Sequence, residues 1–510
     1  MAQQLRTPER RIIAGGIEIP RMISGLWQLA GGHNADVSIE AAAAAMNPLL
    51  DAGLNCFDMA DHYGDAELVI GAFNISTTST HPITALTKWC PPENGNKSFS
   101  AAEAAVDRAL NRLNQTSIPL LQYHIWDYTD DTYWHNLVHL TTLQKTGKIR
   151  HIGLTNTDAA HLQLLLDSGM RIASNQVSCS VIDRRLVRGQ LGDVCLKNNV
   201  SVLAYGTLLG GFLSEKWLGK AEPDLQDEAL NWSLRKYLRF IHAAGGWAVF
   251  QGILSALHAV AQRHEVSISA VATRYVLDLP PVSAVIVGSR LSPGSEGYIA
   301  RNLMAFSFSL TEEDREVIAQ AQEKLVDIPG DCGDEYRRKP FLTAKGDLSD
   351  HLDSNYNTRS EVERAVREGM RVEYDSGSVW EGIAGYSRAI RAGNTIRVSG
   401  TTANSPIPAV VPVLGGSSAA SQAVAILDGI ARAVKALGGG MSDIVRTRIM
   451  VADEKDCEAV SRAHGWFFKC EGVRPANTLI KAGLIGKEFL VEIEAEAEVG
   501  FGGDGVLRVG

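Results

Sequence analysis

Little in this chain points toward a membrane, nucleic acid or an oxidising compartment. Its seven cysteines, Cys56, Cys90, Cys179, Cys195, Cys332, Cys457 and Cys470, show no paired spacing, which argues against a disulfide framework and for a reducing compartment. No apolar run approaches the roughly 20 residues of a membrane span. The opening MAQQLRTPERR carries charge with no apolar stretch behind it, so the expected location is cytoplasmic, with no membrane partner. Blocks of Lys and Arg are missing as well. With 49 basic against 58 acidic residues the formal charge is −9, which leaves no electrostatic footprint for nucleic acid.

What is present is length and alternation. At 510 residues the chain exceeds one ordinary hydrophobic core, so at least two domains are expected. From Arg21 to Arg290 short β-branched segments alternate with longer helical patterns, the pattern of a parallel sheet with crossover helices. Eight strands are predicted: MISGLWQ from Met22, NCFDMA from Asn55, ITALTKW from Ile83, IPLLQYHIW from Ile118, IRHIGLTN from Ile149, ASNQVSCS from Ala173, SVLAYG from Ser201 and SAVIVGSR from Ser283. Eight such units closing on themselves make an α/β TIM barrel, (β/α)8. RIIAGG and IEIPRM before the first strand predict a hairpin that plugs the barrel bottom.

The barrel is assigned to residues 1–330 and a polar, turn-rich extension and linker to 331–373. From 374 to 510 a second unit reads as α+β. It has strands YSRAIRAGN, TIRVSGTTA, IVRTRIMVA and EFLVEIEAEAEVG, and helices SQAVAILDGIARAVKALGGG and CEAVSRAHGWFFK. LGGGMSD at Leu437 reads as a helix C-cap and turn. Gly500, Gly502 and Gly505 satisfy GxGxxG after a strand, but no helix can follow them, so a short glycine-rich tail is expected rather than a phosphate loop.

In a TIM barrel the chemistry gathers at the C-terminal ends of the strands. Asp58 ends the second strand, Tyr63 follows five residues on, Lys88 ends the third and His124 lies near the end of the fourth. Reducing a carbonyl by hydride transfer requires a proton for the developing alkoxide. A tyrosine hydroxyl, with a reference pKa of about 10, gives it up readily only beside a cation. Lys88 supplies that cation, Asp58 holds the ammonium, and His124 orients the substrate oxygen. No metal is required. Trp89 and Trp126 are expected to line the substrate pocket.

FDMADHYGDAE from Phe57, TKW from Thr87 and the isolated His124 resemble the catalytic tetrad of the aldo-keto reductase family, over about 300 residues. The resemblance implies a nicotinamide site. Trp27 and Gln28 match the substrate and ribose position, and Thr155, Asn156 and Gln176 the carboxamide ligands. Tyr205 matches the ring beneath the nicotinamide. Thr207, Leu208 and Gly210 fall in the loop that wraps the pyrophosphate. In the last cofactor segment, Gly288, Ser289 and Arg290 with Asn302, Arg290 faces the adenosine 2′-phosphate and Asn302 the adenine. A guanidinium fork suits phosphate, so NADPH is expected over NADH. Two departures stand out: Met59 replaces the usual threonine, and the stretch from Leu291 to Arg301 is long.

GNTIRVSGTTA, IVRTRIMVAD, RPANT and LVEIEAEA resemble the reactive-intermediate deaminase superfamily (RidA/YjgF-like), with its chorismate-mutase-like fold. That resemblance implies a homotrimer with clefts between subunits. Its active branch clamps a carboxylate with an arginine directly after the Pro-Ala step; here that position is Asn477, while the acidic partner on the last strand is kept as Glu492. A neutral amide cannot reproduce the fork, so the tail is expected to serve oligomerisation or ligand binding. The main expectation is an NADPH-dependent reductase of a small-molecule aldehyde or ketone. Its alternatives are a redox-sensing scaffold and an imine or enamine deaminase in the tail coupled to the barrel.

Overall fold

The structure is a computed structural model and describes residues 6–13, 15–30, 37–76, 82–91, 97–228, 230–292, 296–338 and 356–500. Two strands, β1 (Arg10–Ile13) and β2 (Ile17–Pro20), form an antiparallel hairpin. Eight more follow: β3 (Met22–Gly25), β4 (Cys56–Asp58), β5 (Thr84–Trp89), β6 (Ile118–His124), β7 (Ile149–Thr155), β8 (Ser174–Ser178), β9 (Ser201–Tyr205) and β10 (Val282–Gly288). They close into one parallel barrel in which β10 pairs with both β9 and β3. The predicted hairpin does plug it. Ile13, Ile17 and Ile19 cluster with Ile23, Leu86, Leu120 and Leu203 inside the barrel.

The surrounding helices bury one stripe each. Helix Phe99–Leu113 starts where the Ser98 hydroxyl accepts from the Ala101 amide and buries Ala102, Val106, Leu110 and Leu113, the three-and-four spacing of an amphipathic helix. Among the described residues no single helix is long and apolar enough to cross a membrane.

The tail is a six-stranded sheet in the order β11-β12-β13-β16-β14-β15. The strands are β11 (Val372–Tyr374), β12 (Ala389–Ala392), β13 (Thr395–Thr402), β14 (Ile444–Val451), β15 (Ala476–Lys481) and β16 (Val491–Glu498). Along β16, Val491, Ile493, Ala495 and Ala497 are buried while the intervening glutamates are half-buried, the period-two signature of a sheet covered on one face. Helices Ala419–Ala436 and Cys457–Cys470 pack against each other, and the first of them lies on β13 and β16. It ends at Leu437, and Gly438 follows at φ +80°, as its glycines predict.

Barrel and tail share a buried interface. Helix Ala419–Ala436 lies along the barrel helix Ala159–Asp167, and Leu162, Leu165, Ile426 and Ile430 belong to one continuous core. Polar bonds frame it: Ser421 Oγ donates to Asp167 (2.6 Å), Gly415 N to Ser168 Oγ (2.7 Å) and Arg432 Nε to Thr129 O (2.6 Å). Two expectations about elements differ. Trp27 and Gln28, read as the end of the first strand, fall in the 3-10 turn Trp27–Leu29. RPANT, read as a motif, runs into the edge strand β15. Gly502 and Gly505 lie outside the described residues.

Candidate active site

The barrel mouth gathers the four predicted polar groups from three strand ends and one loop. Lys88 Nζ donates to Asp58 Oδ2 at 2.6 Å and to Met59 O at 2.9 Å. The other Asp58 oxygen accepts from Gln176 Nε2 (2.7 Å) and Gln122 Nε2 (3.1 Å). All of these side chains are buried. A buried ion pair holds its charges only when the remaining lone pairs are satisfied, and the two amides do that. The ammonium stands 4.9 Å from the Tyr63 ring centroid. Gln122 was not anticipated from sequence; its signal is period two, since it lies two residues before His124 on β6 and so faces the same way.

His124 is 3% exposed, and neither ring nitrogen has a hydrogen-bond partner. Burial, reinforced by Arg337, His62, Lys88 and Lys236, pushes its pKa well below that of a free histidine. The ring is therefore neutral at pH 7, with one N–H to donate and one nitrogen to accept. An unpaired polar group costs about 1–3 kcal/mol when buried; a carbonyl oxygen in the pocket would relieve it.

On the cofactor side, Trp27 and Gln28 occupy the turn after β3. Gln28 Oε1 is buried without a partner, and its amide fills the space where a Cβ on Gly288 would stand. Thr155 Oγ1 donates to Gln176 O (3.1 Å), and Asn156, held at φ +55°, accepts from Tyr205 Oη through Oδ1 (2.7 Å). Thr207, Leu208 and Gly210 lie in the loop after β9, where Gly210 (φ +67°) and Gly211 (φ +110°) take conformations that suit glycine. Ser289 N donates to Gly25 O (2.8 Å), Arg290 is exposed two residues past β10, and Asn302 is half-buried on helix Glu296–Leu303. The orphaned Gln28 oxygen and the glycine-lined loop fit an extended nucleotide along the mouth.

Aromatic rings wall the pocket. Trp27 lies 4.8 Å from Tyr63 and 6.5 Å from Trp232, and Trp126 lies 3.8 Å from His124, centroid to centroid. Trp89 departs from expectation. It follows the inward-facing Lys88, so strand alternation turns it outward, where it packs 5.4 Å from Tyr123 in the core. Tyr336, by contrast, was hidden in a polar stretch, and its ring stands 5.5 Å from His124. Asp61, His62 and Cys90 each bring a potential metal-ligand atom within 4.8 Å of the others, beside Tyr63.

Residues 21–323, more than half of the chain, match the model of the Aldo/keto reductase family. The chain belongs to the aldo-keto reductase family. Residues 378–499 match a second family model, Endoribonuclease L-PSP, so this aldo-keto reductase is fused to a RidA-like domain. It is similar to flagellar radial spoke protein 5 of Chlamydomonas reinhardtii, 36% identical over 27% of this chain, and spans only about a quarter (26%) of that protein's length. It also resembles glyoxal reductase of Bacillus subtilis, 28% identical over 39% of this chain and 67% of the relative. The solved glycerol dehydrogenase of Gluconobacter oxydans shares the fold, with a TM-score of 0.51 and 22% identity over 65% of this chain and 98% of that one.

In the tail of this aldo-keto reductase the two expected cleft residues do not meet. Asn477 pairs with Thr447 across β15 and β14 and donates to its hydroxyl (2.9 Å), which also bonds His464 Nε2 (2.9 Å). Burial pushes His464 down to about 4. Glu492 pairs with Met450, three positions further along β14, and an odd offset puts its side chain on the opposite sheet face. Burial, with Glu494 beside it, raises its pKa. Within one chain, then, Asn477 and Glu492 cannot line one cleft.

Proposed function

We propose that the barrel reduces an aldehyde or ketone with NADPH, reversibly, and that Tyr63 gives the proton. The observation that carries this reading is the amide-braced Asp58–Lys88 pair set 4.9 Å from the Tyr63 ring, with a neutral, unpartnered His124 in the same pocket. Thr155, Asn156, Gln176 and Tyr205 would hold a reduced nicotinamide, which would supply the hydride. The carbonyl oxygen accepts hydrogen bonds from the His124 N–H and the Tyr63 hydroxyl. As charge builds on that oxygen, Tyr63 passes its proton across, and the Lys88 ammonium stabilises the phenolate left behind. Asp58, braced by Gln122 and Gln176, keeps the ammonium in place. Trp27 and Trp126 exclude water from the carbonyl.

The direct test offers the full chain short-chain and aryl aldehydes and ketones and follows NADPH absorbance. Turnover with at least one of them is expected; no oxidation across the panel sinks the reading. Arg290 is the proposed partner of the 2′-phosphate, with Asn302 at the adenine and Gly288 and Ser289 framing the turn. Arg290→Ala is expected to weaken NADPH binding about tenfold or more while NADH binding stays within twofold, since one charge-assisted fork is worth more than about 1.4 kcal/mol. Equal weakening for both cofactors, measured by fluorescence quenching, would remove Arg290 from that role.

For the tail we propose self-association, as a trimer, in the cytoplasm. The barrel covers its helical face and leaves the other sheet face clear. There Glu494 and Glu496 alternate with Arg397, Arg446 and Arg448 across β13, β16 and β14, a self-complementary pattern of charge. Nearby helix Val379–Ala384 exposes Val379, Trp380 and Ile383, each at least 63% accessible, and such patches mark association surfaces. Trp380→Glu is expected to lower the mass in light scattering from trimer to monomer; an unchanged mass would rule this surface out.

A further inference from the structure

The charged stretch that follows the barrel, GDCGDEYRR from Gly330 to Arg338, reads as solvated linker, yet Asp331, Cys332, Asp334, Glu335 and Tyr336 are all buried. Its first half is bolted to the barrel. Arg185 Nη1 donates to Asp331 O (2.9 Å) and to Glu335 Oε2 (2.7 Å), while Asp331 Oδ2 accepts from Ala159 N (2.9 Å) at the start of helix Ala159–Asp167. At Gly333, φ is +91° and a Cβ would overlap the Asn156 carbonyl. The strap thus crosses directly over the end of β7, beside the proposed nicotinamide site.

Tyr336 then enters the pocket. Its hydroxyl accepts from Lys236 Nζ (2.6 Å) and lies 3.2 Å from Tyr205 Oη; its ring stands 5.5 Å from His124 and 6.2 Å from Trp126. Two residues on, the chain turns toward the tail. Arg338 pairs with Glu471 of the tail (3.0 Å) and with Asp334 of the strap itself (3.2 Å), and its guanidinium lies 5.7 Å and 5.8 Å from the rings of Trp466 and Phe467. Between these anchors Arg337 donates to Asn156 O (2.6 Å) and covers the Tyr128 ring at 4.4 Å. The same strap therefore carries a pocket wall and a contact with the fused domain, two residues apart.

We infer that the tail sets the carbonyl selectivity of the barrel, because its grip on Arg338 holds the Tyr336 ring against His124 at the wall of the substrate pocket. The inference rests on the reductase reading above. Tyr336 is the selectivity residue: its ring limits the bulk of the group attached to the carbonyl carbon, favouring small aldehydes over bulky ketones. Arg338 and Glu471 are positioning residues, which touch neither substrate nor cofactor. With Arg338 released, the strap keeps its barrel bonds through the Tyr336 hydroxyl to Lys236 and through Arg337 to Asn156 O and Ile125 O; the pair with Glu471 adds a fixed point on the tail, and displacing a pocket wall even slightly changes discrimination between substrates.

The test uses the full chain and the variants Tyr336→Ala, Arg338→Ala, Arg338→Lys, Glu471→Ala and the Tyr336→Ala/Arg338→Ala pair. Three quantities are read: kcat and KM for a short aldehyde and a bulky aryl ketone, NADPH affinity by fluorescence quenching, and amide hydrogen exchange over 331–338. Tyr336→Ala is expected to shift the kcat/KM ratio about tenfold or more toward the bulky ketone, with NADPH affinity within twofold. Arg338→Ala and Glu471→Ala should shift it the same way by several fold and speed exchange in the strap. Arg338→Lys should restore most of the wild-type ratio, and the double variant should equal Tyr336→Ala alone. Arg338→Ala and Glu471→Ala proteins that melt like the wild type, with unchanged ratio and unchanged exchange, would overturn the inference. Failure of the reductase reading looks different: the wild type itself oxidises no NADPH with either carbonyl.

Discussion

Tyr63→Phe is expected to lower steady-state carbonyl reduction by about 10²- to 10⁴-fold, the span that a positioned proton donor contributes, while NADPH still quenches protein fluorescence with unchanged affinity. The substitution removes one oxygen and leaves the ring where it packs, 4.8 Å from both Trp27 and His62, so the pocket should keep its shape. His124 keeps its N–H and continues to bind the carbonyl oxygen, which confines the loss mainly to kcat. Turnover within threefold of the wild type would mean that another group donates the proton. Of the described groups nearby, His124 is the natural substitute, and its depressed pKa makes it a poor proton store at pH 7.

The second large effect lies at the joint between the domains. His161, 1% exposed, is clasped by two aspartates: Nδ1 lies 2.8 Å from Asp158 of the barrel and Nε2 3.1 Å from Asp428 of the tail. Its ring stacks on Tyr128 at 3.3 Å. Burial disfavours the charged imidazolium, but the two carboxylates outweigh it and raise the pKa to about 9; His161 in turn draws Asp158, against its own burial, down to about 2. His161→Leu would remove the cation between two buried carboxylates, and a loss of about 3–5 kcal/mol is expected.

The pH dependence follows from the direction of these shifts. A histidine whose folded pKa exceeds its unfolded value contributes its full stabilisation below about 6.5 and loses it as the pH rises through about 9. Asp158 behaves oppositely: its contribution is present above the ordinary carboxylate range and disappears as the pH falls toward 2. The melting temperature of the wild type should therefore decline between pH 7 and 10, and His161→Leu should flatten that decline. A wild-type curve that is level over this window, or one that the variant reproduces, would show that His161 is not the joint's proton-linked group.

Several features are legible in the sequence because they depend on local pattern. All eight barrel strands are, since a parallel strand covered on both faces must be apolar throughout; β6 buries all seven of its residues. Asp58, Lys88 and His124 stood out because polar groups at strand ends interrupt such runs. Gln122 escaped notice because it acts through Asp58 rather than on substrate. Trp89 was misplaced because proximity to Lys88 in sequence outweighed the alternation that separates them. β15 was missed as a strand because ANTLIK is exposed along most of its length and owes its conformation to pairing with β14.

By itself the sequence determined the (β/α)8 barrel, the fused α+β tail and the residue types at the mouth, all of which follow from periodicity and from motifs a few residues long. Only the tertiary structure decided that Asn477 and Glu492 face opposite ways, that His161 meets Asp428 from a helix 267 positions away, and that a charged stretch after the barrel is a pocket wall clamped by the tail. The reason is physical. Charged residues look alike in sequence whether water or a partner satisfies them, and burying Glu335 or half-burying Arg338 is tolerable only because Arg185 and Glu471, distant in the chain, stand ready to pair with them.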